Sequence, residues 1–126
     1  MRERYLLDSN VLLWLNLDPS RIPGAVIGDL DAADEVYFSA ASAWELAIKQ
    51  SLGKLHMTGT ISAFVAKAGL LEIAVTTRFA EAAALLPMHH RDPFDRIIVA
   101  QAMEEGLTLI TADRRLASYG IKILRV

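Results

Sequence analysis

Apolar positions along the chain fall into short runs and helical stripes that alternate with one another. Arg4 to Leu7 is brief and apolar at its end, the pattern of a buried strand running into Asp8. Asn10 to Leu17 is apolar on all sides and stops at Asp18-Pro19, which predicts a buried helix. Pro23 opens a second helix with Val26, Ile27 and Leu30 inward, and Glu35 to Ser39 is β-branched and aromatic enough to be a strand. A helix over Ala41 to Leu52 closes at Gly53. Ile61, Phe64, Val65 and Ala68 make a stripe between an N-capping Thr60 and Gly69. Leu71 to Val75 reads as a strand, and Thr77 caps a helix bearing Phe79, Ala82, Ala83 and Leu86 that ends before Pro87. Asp95 to Glu105, stopped by Gly106, is the next helix. The strand Leu107 to Thr111, a short helix over Asp113 to Ser118 and a last strand over Ile121 to Leu124 complete the series.

Strands alternating with helices predict one α/β domain over residues 1–126 with a mostly parallel sheet. Such sheets bind ligands beyond the carboxyl ends of their strands, where strand order reverses. That directs attention to Asp8 and Asp113, each just past a predicted strand. No repeat or low-complexity tract interrupts the chain.

Composition narrows the chemistry. At 126 residues and 53% hydrophobic content the chain carries a core without staples, and with no cysteine it has no disulfide, zinc–thiolate site or thiol nucleophile. The first apolar run is too short for a signal peptide, and none approaches the roughly 20 residues of a membrane span. A soluble, cytoplasmic protein with no membrane contact is the expectation. The net charge of −2 argues mildly against a nucleic-acid partner, unless several carboxylates are collected at one site.

Four acids stand in unusual places. Asp8 reads equally as a helix cap or a site acid. Glu45 shares a helix face with Ala41, Trp44, Ile48 and Leu52, where an unpaired charge is costly; an ion pair with Lys49 one turn on is its bland explanation. Asp95 heads the stripe of Ile98, Val99, Ala102 and Met103, with Arg96, Gln101, Glu104 and Glu105 facing out; Asp92 before Pro93 is the better cap. Asp113 follows the strand, and Thr111 is a candidate cap and supporting hydroxyl. Four clustered carboxylates would repel one another without a cation, and an all-oxygen donor set selects Mg²⁺ or Mn²⁺. Such an ion activates water and stabilises phosphorus oxygens, which points to phosphodiester hydrolysis.

Other side chains are given plainer roles. His89 and His90 point apart in an extended loop and suit a loop or substrate contact better than a metal. Trp14 and Trp44 are read as core, and His56 as solvated. Arg91, Arg96, Arg114 and Arg115 flank the acids, the first three being candidates for contact with substrate phosphates.

Four collinear stretches then carry a resemblance. Residues 6–14 (LLDSNVLLW), 39–49 (SAASAWELAIK), 89–102 (HHRDPFDRIIVAQA) and 109–113 (LITAD) resemble the successive motifs of PIN-domain proteins, and among these the VapC-like toxins of bacterial type II toxin–antitoxin pairs. The resemblance implies a three-layer fold around a five-stranded sheet and a metal-dependent endoribonuclease with Mg²⁺ or Mn²⁺. It also implies a homodimer and a cognate antitoxin protein as inhibitor. It carries Asp8, Glu45, Asp95 and Asp113 onto the family's acidic positions, supported by Ser9, Asn10 and Thr111. Ser9-Asn10 replaces the usual Thr-His or Thr-Asn, and Leu116 stands where an aromatic is frequent. Three rivals share some features: a phosphoryl-receiver domain, a phosphatase with Asp8 as nucleophile, and a silent PIN-like binding module.

Overall fold

A computed structural model describes residues 3–126. Five strands, β1 (Arg4–Leu7), β2 (Glu35–Ser39), β3 (Leu71–Ile73), β4 (Thr108–Thr111) and β5 (Ile123–Arg125), form one sheet in the order β3-β2-β1-β4-β5. All four pairings are parallel, so the expected mostly parallel sheet is wholly so. Each crossover therefore needs a helix, which the chain supplies as α1 (Ser9–Leu17), α2 (Gly24–Ala32), α3 (Ala40–Ser51), α4 (Ile61–Lys67), α5 (Thr77–Leu85) and α6 (Pro93–Glu105). Two 3-10 helices, Pro19–Arg21 and Arg114–Tyr119, fill the remaining turns.

Alternation along the central strands builds the three layers. Tyr5, Leu7, Phe38 and Ile110 face a core with Val11, Leu12, Val26 and Leu46, covered by α1 to α4. Leu6 and Leu109 face the opposite way, onto Ile98, Val99 and Ala102 of α6 and Leu116 and Tyr119 of the second 3-10 helix. Strand order reverses at β1, whose neighbours are β2 and β4. The carboxyl ends of β1 and β4 thus lie side by side, and the segments that follow them carry Asp8 and Asp113.

Several boundaries differ from the sequence expectation for identifiable reasons. β3 ends at Ile73 rather than Val75 because its partner β2 ends at Ser39, opposite Ile73. β5 starts at Ile123 because its pairing follows Leu109 to Thr111. Thr76, not Thr77, holds the N-cap position of α5. Helix α6 begins at Pro93, two residues earlier than expected, since proline is pre-set for the first helical position and Asp92 caps it through Phe94 and Asp95 N–H. Gly106 ends α6 at φ 65°, a left-handed conformation that a side chain would strain.

Two polar residues expected to face out are inside. Arg96 is 8% exposed and Gln101 is fully buried, while Met103, expected inward, is exposed. Helix α6 is enclosed on more sides than one stripe can cover, because α5 packs along it. The reverse holds for α3: its inward residues are Ala41, Ser42 and Leu46, and Trp44 is 64% exposed with its ring edge-on to Phe94 at 5.5 Å. Trp44 is not core. Trp14 packs against the core as expected, with the Arg21 guanidinium 4.3 Å over its ring.

Candidate functional site

The turn from β1 into α1 sets Asp8. Its extended backbone makes it the N-cap of α1, with Oδ1 accepting the Val11 N–H at 2.9 Å. Oδ2 accepts the Thr111 hydroxyl from the end of β4. Asp8 is therefore the cap of α1 with its second oxygen tied to the end of β4, an arrangement compatible with a role in the pocket. Burial pushes its carboxyl above the ordinary range, against the hydrogen bonds from Thr111 and Val11.

Thr111 uses its hydroxyl twice, since Oγ1 also accepts the Asp113 N–H at 3.0 Å. The cap of the following 3-10 helix is Asp113 itself, through the Arg115 N–H, and not Thr111 as expected. The Arg115 guanidinium grips both Asp113 oxygens, at 3.1 and 2.9 Å, and holds that carboxyl below its ordinary range. Glu45 reaches the site from α3. Of its face only Ala41 is buried while Trp44 and Leu52 are exposed, and it takes the predicted ion pair with Lys49 at 3.2 Å, yet its side chain is only 17% exposed. The pocket, rather than the core, encloses it.

Asp95 stands in the first turn of α6. Burial raises its carboxyl to about 6, helped by the charge of Asp92 and opposed by His90. The folded value lies above the ordinary 3.8, so the folded state holds this proton more tightly than the unfolded chain. The stability that follows is complete below about pH 4 and lost as pH climbs through 6. Asp95→Asn escapes that loss. In EDTA its stability advantage over the wild type is expected to grow from near zero at about pH 4 to at most about 3 kcal/mol at about pH 7.5. Urea unfolding at both pH values measures this, and an advantage that does not widen with pH would contradict it.

These four acids line one pocket of about 260 Å³ together with Ser9, Asn10, Lys49, His90, Asp92 and Arg115. Of the residues expected to support them, Thr111 anchors Asp8 and Asn10 lies exposed at the rim. Ser9 is buried with its hydroxyl donated to Ser42 at 2.9 Å. Arg91 and Arg114 are exposed and lie outside the pocket lining. Arg96 requires correction as a candidate phosphate contact. Its guanidinium is turned inward and donates to the carbonyls of Ala83, Leu86, Pro87 and His90 at 2.8 to 3.1 Å. Both terminal nitrogens are committed to these carbonyls.

His90, Lys49 and Arg115 join the acids in the pocket, where the sequence suggests only a loop or substrate contact, an ion pair with Glu45 and a flanking charge respectively. His89 and His90 do point apart, as expected: the His89 ring meets Tyr119 at 5.0 Å. His90 turns instead to the acids, its Nε2 being 2.8 Å from Asp95 Oδ2 and 3.3 Å from Asp113 Oδ2. The signal lay in its place three residues before the loop turns at Pro93, but only the loop's path reveals the contact.

The family model for the PIN domain matches residues 5–122. The chain belongs to the PIN-domain family. Ribonuclease VapC22 of Mycobacterium tuberculosis is 32% identical over 117 residues, covering 90% of each chain. Among solved structures, a DNA-bound VapBC from Salmonella typhimurium superposes with TM-score 0.73 at 19% identity, covering 99% of this chain and 98% of that one. A toxin–antitoxin complex from Klebsiella pneumoniae gives 0.66 at 20% identity, covering 95% of each. The last two share the PIN fold. Membership across nearly the whole chain sets aside the receiver and phosphatase readings. No helix among the described residues is long and apolar enough to cross a membrane.

Proposed function

We propose that this PIN domain is a divalent-cation-dependent endoribonuclease and the toxin of a type II toxin–antitoxin pair. The observation that carries it is the convergence of Asp8, Glu45, Asp95 and Asp113 on one pocket at the strand-order switch of the sheet. The 32% identity to a ribonuclease supports the substrate class.

The donor set fits a hard cation. All four acids are largely shielded from water, and among the described residues only two have a cationic side chain in contact, Lys49 for Glu45 and Arg115 for Asp113. Asp8, Glu45, Asp95 and Asp113 would hold Mg²⁺ or Mn²⁺, since oxygen donors suit both ions. Bound there, the ion supplies Lewis acidity: it acidifies water and stabilises charge on phosphate oxygens. The protein does the rest. Thr111 fixes Asp8 in orientation, Asp92 caps α6 so that Asp95 projects into the pocket, and Lys49 and Arg115 offer cations at its rim to RNA phosphates. The partner is a cognate antitoxin protein, supported by the complexes that structurally similar chains form.

Incubation of the purified protein with RNA is expected to give cleavage with Mg²⁺ or Mn²⁺ that EDTA abolishes, and expression without antitoxin is expected to halt translation. Intact RNA in both ions, with cells that go on translating, would refute the reading.

A further inference from the structure

His90 lies in the segment between α5 and α6, and its main chain is clamped on both sides. Its N–H donates to the Tyr119 hydroxyl at 2.9 Å, and its carbonyl accepts from the buried Arg96 guanidinium at 3.1 Å. The side chain is only 9% exposed, and its Nε2 is buried without a hydrogen-bond partner. The nearby Asp95 and Asp113 oxygens approach it at ion-pair distance but without hydrogen-bond geometry. A buried polar atom with no partner is unusual in a folded protein and calls for an explanation. Here Nε2 and one oxygen each of Asp95 and Asp113 all lie within 4.8 Å of one another, a spacing that one ion can bridge.

We infer that His90 is a nitrogen ligand of the divalent cation in this pocket, alongside Asp95 and Asp113. The inference rests on the reading of the pocket as a metal centre and adds a donor that the four acids do not include. Ligation through Nε2 puts the imidazole proton on Nδ1, at the cost of a contact with the Asp92 N–H that is already 3.5 Å long. The clamp by Tyr119 and Arg96 holds the ring in place, so little side-chain freedom is lost on binding. A nitrogen donor changes selectivity. Imidazole suits transition ions, whereas Mg²⁺ keeps to oxygen and water, so His90 moves the preference of the site toward Mn²⁺.

Pulsed electron paramagnetic resonance of the full-length protein loaded with one equivalent of Mn²⁺ tests this directly. Nitrogen hyperfine coupling is expected in the wild type, retained in His89→Gln and lost in His90→Gln. Labelling histidine with the heavier nitrogen isotope is expected to change the coupling in the unsubstituted protein, which removes any dependence on how a variant folds. Calorimetric titration of His90→Gln is expected to show Mn²⁺ affinity falling about tenfold and Mg²⁺ affinity changing less than about twofold. Bound Mn²⁺ with no nitrogen coupling, or coupling that survives His90→Gln, would overturn the inference and leave the acidic metal centre standing. An absence of Mn²⁺ binding to the wild type would overturn both.

Discussion

Asp8→Asn is expected to slow RNA cleavage by about a thousandfold or more and to leave the fold unchanged. The substitution keeps shape and removes charge. The amide oxygen still accepts the Val11 N–H and caps α1, and the amide nitrogen faces the Thr111 hydroxyl, which has an acceptor lone pair to offer. It also relieves the burial that raises the Asp8 carboxyl, so no stability is expected to be lost. Asp8→Ala would be a poorer test, because it also removes the helix cap, at a cost of about 1 kcal/mol. Cleavage rates with Mg²⁺ and Mn²⁺, read beside a thermal melt, separate the two effects. A variant that cuts RNA at the wild-type rate would take Asp8 out of the mechanism.

Arg96→Met is expected to cost about 3–5 kcal/mol of stability, the largest effect anticipated outside the core. The methionine fills much of the space but donates nothing. Four carbonyls, of Ala83, Leu86, Pro87 and His90, lose their shared donor, and that of Ala83 loses it in a buried setting. Arg96→Lys is expected to recover only part of the loss, since an ammonium cannot reproduce the planar fork that spans these carbonyls. The urea midpoint measures the effect, and proteolysis is expected to begin between Leu86 and Asp92, the stretch the guanidinium holds. A shift in midpoint equivalent to under about 1 kcal/mol would show that the carbonyls find water instead.

The same residue shows where sequence patterning stops. Reading polar residues as outward placed Arg96 and Gln101 on the surface of α6, yet both are buried. The partners of Arg96 come from a segment whose return path over α6 leaves no trace in hydrophobic spacing. Trp44 is the mirror case, an aromatic assigned to the core that is mostly exposed, because the buried face of α3 is set by Ser42 and Leu46. The strands were legible as short apolar or β-branched and aromatic runs, and β2 runs over the expected Glu35–Ser39. Among the four acids, Glu45 and Asp95 stood out by their helix faces, and Asp8 and Asp113 by strand-end position and the family resemblance. Their neighbours Lys49, His90 and Arg115 bear neither mark; they join the pocket through long side chains or the course of a loop. For Asp8 and Glu45 the structural explanations hold, as the cap of α1 and the ion pair with Lys49, and both carboxylates also line the pocket, with lone pairs left for a further partner.

The hydrogen bond from Thr111 to Asp8 joins positions 103 residues apart, and β4 lies beside β1 in the middle of the sheet. Contacts of such sequence separation form only after the intervening chain has paid its closure entropy. A nascent chain that has released β1 to β3 has made Asp8 and Glu45, but it has neither the strand that anchors the first nor the segment that carries Asp113. On the proposed reading, the cation-binding set is therefore incomplete until β4 has joined the sheet beside β1.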